Sequence, residues 1–268
     1  MRSTRLFAAL SVGSLALAGP LLAAGTANAS SAVNYAALGD SYSAGVGAGN
    51  YTSSSGSCDR STNAYSELWN SANAPSSFNF VACSGATTAD VINTQAPTLS
   101  SSTTLVSVTI GGNDVGFSSV METCVLDSTS SCVSAVDTAE NEAKTTLPGE
   151  LDNALDAIAS HAPNAKVIVM DYPELYDLSK SSSCVGLSTT DRTDLNQAAD
   201  VLDGVIQAAA GRHDDTFGDV RNYFSGHEIC DSNSWLHSVN ILDIDESYHP
   251  TASGQSGAYY PLFSSLVG

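Results

Sequence analysis

The chain predicts an α/β protein, a three-layer α/β/α sandwich built on a mainly parallel sheet. Short runs rich in apolar residues at 33–38, 105–110 and 167–170 have the pattern of strands buried on both faces. Amphipathic stretches at helical spacing cover 136–161 and 191–210. This alternation of strand with helix is the signature of βαβ units and a parallel sheet.

Taken in order, residues 1–29 carry Arg2 and Arg5, an uncharged stretch over 6–24, and Ala27-Asn28-Ala29. A basic start, an apolar middle and a small-residue cleavage site make a signal peptide, with the mature chain beginning at Ser30. A membrane anchor fits less well, because Gly13, Gly19 and Pro20 interrupt the apolar stretch. Residues 30–268 are then a single domain. The strand at 33–38 delivers Gly39-Asp40-Ser41 to its end, where open α/β sheets carry their chemistry. Segments 50–63, 122–134 and 176–190, rich in Ser, Thr, Gly or Cys, read as loops. None is long and apolar enough to cover a site, so an open site is expected. Leu147, Leu151, Leu155 and Ile158 form one helical stripe, which Pro148-Gly149 interrupts or restarts. Leu195, Ala199, Leu202 and Ile206 form another, with Thr189 or Thr190 as its N-cap. Ser253-Gly254-Gln255 starts the last helix.

Charge narrows the partners. The chain has 9 Lys and Arg against 28 Asp and Glu, a formal charge of −19 that becomes −21 once the two signal-peptide arginines leave. Such a surface repels nucleic acids and anionic headgroups, so neither a nucleic-acid partner nor a stable membrane anchor is expected. The acids read as a solvated surface on an extracellular monomer. All six cysteines, Cys58, Cys83, Cys124, Cys132, Cys184 and Cys230, follow residue 29, and an even number in a secreted chain argues for three disulfides. Fifteen connectivities are open to six cysteines. Their positions favour the sequential one, 58 with 83, 124 with 132 and 184 with 230. No Cys-x-x-Cys occurs and the histidines lack ligand spacing, so no metal or other cofactor is expected. Asp243, Asp245 and Glu246 lack the Asp-x-Asp-x-Asp-Gly spacing of a calcium loop and read as a solvated acidic turn.

The chemistry lies in four short blocks: Gly39-Asp40-Ser41-Tyr42-Ser43, Ser84-Gly85-Ala86, Gly111-Gly112-Asn113-Asp114 and Tyr248-His249-Pro250. A serine hydroxyl needs a base within hydrogen-bond reach. A neutral imidazole can take its proton and return it to a leaving alkoxide. Ser41 is therefore the candidate nucleophile and His249 the candidate base, with His237 as a decoy and His161, His213 and His227 as surface residues.

In this order the blocks resemble those of the SGNH, or GDSL-type, hydrolases over about residues 33–266, nearest to the secreted lipases and esterases of actinobacteria. The resemblance implies a flavodoxin-like sheet of about five strands. It also implies an oxyanion hole made by the backbone N–H of Ser41, the backbone N–H of Gly85 and the side-chain amide of Asn113. A glycine permits close backbone approach, and an uncharged amide donates without titrating. The family often places Asp three residues before the histidine, where this chain has Glu246. Either Glu246 orients the imidazole, or a backbone carbonyl, that of Ser247, does so and leaves a Ser-His dyad, the preferred reading.

The function expected is a secreted serine carboxylic ester hydrolase, a lipase or esterase working through an acyl-serine. Phospholipase A activity and polysaccharide or thioester deacylation are neighbours on the same fold. A non-catalytic carbohydrate- or lipid-binding module is the reading from a different class.

Overall fold

A computed structural model describes Met1 and residues 32–180, 184–240 and 244–268. Residues 2–29 of the proposed signal peptide, Ser181 to Ser183, and Asp243 of the acidic turn lie outside the described residues. Five parallel strands, β1 (Asn34–Gly39), β2 (Ser77–Phe80), β3 (Leu105–Thr109), β4 (Lys166–Met170) and β5 (Thr216–Gly218), pair in the order β2-β1-β3-β4-β5. The three central strands are the apolar runs of the sequence, and β3 is buried along its whole length. β2 and β5 are the two edges. Their sequences, Ser-Phe-Asn-Phe and Thr-Phe-Gly, are short and half-buried, so neither carries the continuous apolar signal of a central strand.

Helices cover both faces. α1 (Ser41–Ala44) is a single turn after β1, followed by α2 (Tyr65–Asn73) and α3 (Thr88–Asp90). α4 (Phe117–Leu126), α5 (Thr129–Thr145), α6 (Leu147–His161) and α7 (Thr189–Arg212) pack together on one face. After α8 (Arg221–Phe224), α9 (Ala252–Gly254) leads through a π-turn into α10 (Tyr260–Val267), which packs on α2. The stripe Leu147, Leu151, Leu155 and Ile158 is buried on α6, which restarts at Leu147 with Pro148 in its first turn, where a missing N–H costs nothing.

Two local expectations are corrected. Segment 122–134 is not a loop: α4 runs to Leu126 and α5 begins at Thr129. Its serines and threonines mislead because Ser128 is a cap, accepting the Ser131 N–H, while the joined Cys124 and Cys132 are buried between the helices. The N-cap of α7 is Ser188 rather than Thr189 or Thr190. Its hydroxyl accepts the Asp191 N–H at 3.1 Å while Asp191 accepts the Ser188 N–H at 3.1 Å, a reciprocal capping box that neither threonine is placed to make. The disulfides are Cys58–Cys83, Cys124–Cys132 and Cys184–Cys230. Among the described residues no helix is long and apolar enough to cross a membrane.

Candidate active site

The strand order changes direction between β1 and β3, and ligands of open parallel sheets bind at the carboxyl ends of strands flanking such a point. Ser41 follows β1 there and Asn113 follows β3. The turn that presents Ser41 requires glycine before it. Gly39 has φ 118°, and a Cβ on it would come within 2.3 Å of the Thr109 carbonyl oxygen. Asp40 then caps α1, its Oδ1 accepting the Tyr42 N–H at 3.0 Å and the Thr109 hydroxyl at 2.7 Å. Its Oδ2 accepts the Tyr172 hydroxyl. Burial is the main reason the Asp40 carboxyl is pushed up to about 6, against the pull of those donors.

Ser41 Oγ lies 2.7 Å from His249 Nε2. On the far side of the ring, Nδ1 lies 3.1 Å from the Ser247 carbonyl oxygen. A carbonyl only accepts, so Nδ1 carries the proton and Nε2 faces the serine as an acceptor. Desolvation dominates at this imidazole and lowers its pKa to about 4, with the Ser247 carbonyl opposing. Tyr248 supports the turn: its backbone is left-handed at φ 65°, and its carbonyl accepts the Tyr42 hydroxyl at 2.7 Å.

Glu246 is turned elsewhere, with Oε1 accepting the Tyr51 hydroxyl at 2.6 Å. His237 points its Nε2 at the Gly47 carbonyl, 2.8 Å away, and not at Ser41. Two other histidines do more than decorate the surface. His227 stacks on Trp235 with centroids 3.6 Å apart, and His213 contacts Asp152 at the end of α7.

Gly85 has a left-handed backbone at φ 76°, and Asn113 lies beside it across the same groove. The two are tied together. The Asn113 amide donates to the Ala86 carbonyl at 2.9 Å, and the Asp114 carboxylate accepts both the N–H and the hydroxyl of Thr88, at 3.0 and 2.6 Å. Tyr172 completes the frame, since its hydroxyl, besides donating to Asp40, accepts the Gly112 N–H at 3.2 Å. Gln95 also brackets Gly39, accepting its N–H at 2.7 Å and donating to its carbonyl at 2.9 Å. Sequence reasoning assigned no role to Asp40, Thr109, Tyr172, Gln95 or Asp114. Of these, Asp40 and Asp114 stand inside recognised blocks, while the others carry no local signal.

Two cavities meet at Ser41 and Asn113. One runs inward between α4, α5 and α7 and is walled by apolar side chains. The other is an open groove bordered by Gly85, Phe117, Met121, Ser247 and His249. Leu126, 71% exposed, and Ile244, 63% exposed, stand at its edge. Among the described residues, no cluster of His, Cys, Asp and Glu is arranged to hold a metal ion.

A parallel α/β/α sheet with a serine and an imidazole in hydrogen-bond contact at its switch point has the parts of a serine hydrolase of carboxylic esters. A model of the GDSL-like lipase/acylhydrolase family matches residues 37–256, so the chain belongs to that family. Lipase 1 of Streptomyces coelicolor is 54% identical over 267 residues, 98% of this chain and 99% of that one. Among solved structures, phospholipase A1 from Streptomyces albidoflavus NA297 superimposes with a TM-score of 0.85 at 53% identity, covering 87% of this chain and 99% of the other. An extracellular lipase from Streptomyces rimosus gives 0.84 at 50% identity, with the same coverage.

Proposed function

We propose that this carboxylic ester hydrolase works through Ser41 and His249 as a dyad, and that it is a secreted, monomeric lipase or esterase. The observation that carries the reading is the 2.7 Å contact between Ser41 Oγ and an imidazole whose other nitrogen already has an acceptor. Ser41 Oγ attacks the acyl carbon as its proton passes to His249 Nε2. The oxyanion is met by the N–H of Ser41, the N–H of Gly85 and the second amide hydrogen of Asn113, each such donor worth about 2.7–4 kcal/mol. Collapse of the intermediate breaks the ester C–O bond, and the imidazolium gives its proton to the departing alkoxide. A water activated by the same imidazole then frees the acid and restores Ser41. The Ser247 carbonyl orients the ring in place of a carboxylate, which the engagement of Glu246 with Tyr51 supports.

Secretion is supported by the signal-like residues 1–29, with a mature domain proposed from Ser30, and by the relative named as an extracellular lipase. A second reading, cleavage of phospholipid acyl esters, is favoured by the relative named phospholipase A1. Hydrolysis of p-nitrophenyl esters from acetate to palmitate, beside a triacylglycerol emulsion and phosphatidylcholine, separates the two. In the same assay Ser41→Ala and His249→Ala should each lower kcat on the order of 10⁴- to 10⁶-fold, without additivity. A folded variant of either kind that keeps more than about a tenth of wild-type turnover contradicts the assignment.

A further inference from the structure

We propose that the acyl chain of the substrate is held between α4, α5 and α7, and that alanines on α5 and α7 set the chain length accepted. This rests on the ester-hydrolase reading above and deepens it. The inward cavity opens at Ser41 and Asn113, beside the atoms that would hold the acyl carbon. Its walls are Phe117 and Val120 from α4, Ala139 and Ala143 from α5, and Ala198 and Ala199 from α7. Ala139 and Ala143 are four residues apart, so they stack on one face of α5. Across the gap, Leu195 and Leu202 fill the positions on either side of the α7 alanines. Space exists between these two closely packed helices because the facing residues stop at Cβ.

The lining is suited to hydrocarbon. Apart from Asp40, whose oxygens are engaged, its one acid is Glu140. That carboxylate is bound by Lys144 at 2.6 Å and accepts the Gln197 amide at 3.2 Å, so its charge is answered by polar groups. The groove on the other side of Ser41 also contains Ser84, Glu122, Asp245 and the Ser247 turn. That mixture of polar groups with Met121, Val125 and Leu126 suits the alcohol portion of an ester, which leaves after acylation, whereas the more uniformly apolar cavity suits the chain that stays on Ser41. Each methylene buried there should strengthen binding by about fourfold.

The competing explanation is that these alanines serve only the close packing of α5 on α7. Chain-length profiles of Ala199→Leu and Ala143→Leu decide between them, read as the ratio of kcat/KM for p-nitrophenyl palmitate to that for the acetate. Two methylenes' worth of lost space predicts a fall in that ratio of at least about tenfold, and Leu195→Ala should raise it. Ala199 is half-buried and bears the larger side chain even if Ala143→Leu fails to fold, which thermal melting checks. A folded Ala199→Leu protein with the wild-type ratio overturns the proposal, since a packing role alone lowers the melting temperature and leaves the profile in place. A wild-type protein inactive on every ester would instead strike at the ester-hydrolase reading itself.

Discussion

At His249 two effects oppose each other, and their balance has a measurable consequence. Burial disfavours the imidazolium, while the Ser247 carbonyl favours it; burial wins and the pKa falls to about 4. A general base works when unprotonated, so activity is retained as pH falls until His249 takes up a proton. The acid limb of kcat/KM on a soluble ester should therefore fall near pH 4 to 5, and a limb centred near 6.5 would show that the ring is not desolvated in this way. Asp40, pushed up to about 6, should add a shallower inflection there, which Asp40→Asn removes. The acceptor at Nδ1 is testable too. A backbone carbonyl cannot be deleted by changing a side chain, so Glu246→Ala should cost less than about tenfold in kcat with KM nearly unchanged, whereas losing a true orienting carboxylate costs about 10⁴. A loss above about a thousandfold in folded protein would restore Glu246 to a triad. Tyr172→Phe removes one donor from Asp40 and the acceptor of the Gly112 N–H, so it should lower kcat more than it changes KM for acetate esters. Ser41 and His249, which the structure brings into contact, and Gly85 and Asn113, which line the same groove, could be picked out as candidates because each sits in a short block. Tyr172 was not, because it reaches Asp40 across 132 positions of sequence and has no motif of its own.

Among the elements, legibility followed burial. β1, β3 and β4 are sandwiched between helix layers and must be apolar on both faces, which marks them in the sequence. The edge strands β2 and β5 have no such demand, and only the family resemblance pointed to a sheet of that size. The α4–α5 junction was hidden by composition, since the serines that cap a helix are also the residues that fill loops. The bridges should contribute unequally to the elements they tie. Cys184–Cys230 closes a separation of 46 residues and Cys124–Cys132 one of 8. In the chain-entropy model these correspond to about 4 and about 2.5 kcal/mol, so replacing the first pair by alanine should lower the melting temperature more than replacing the second. The reverse order would mean that the α4–α5 pin does more than restrict the unfolded chain.

For the whole molecule, acid dominates both surface and interior. Among the described residues, buried Asp171 and Asp203 hold their protons well above the usual carboxylate range, chiefly through desolvation, and burial raises Asp215 to about 6. Asp40 behaves likewise. A carboxyl whose folded pKa exceeds its unfolded value of about 4 binds more protons when folded, so its stabilising contribution is complete below about pH 4 and is lost as pH rises through the folded value. The lowered carboxyls Asp152, Asp177 and Asp219 act the other way, but only as pH falls below about 4. The melting temperature should accordingly be higher at pH 5 than at pH 8, and added salt should raise it at pH 8 by screening the excess negative charge. A stability that falls steadily from pH 8 to pH 5 would contradict this account of the buried acids. Covalent catalysis at Ser41 activated by His249 can be read out by treating the protein with a fluorophosphonate and mapping the added mass. One modified residue is expected, Ser41, with labelling abolished in Ser41→Ala and strongly slowed in His249→Ala; adduct on another serine, or undiminished labelling of Ser41→Ala, would rule out Ser41 as the nucleophile.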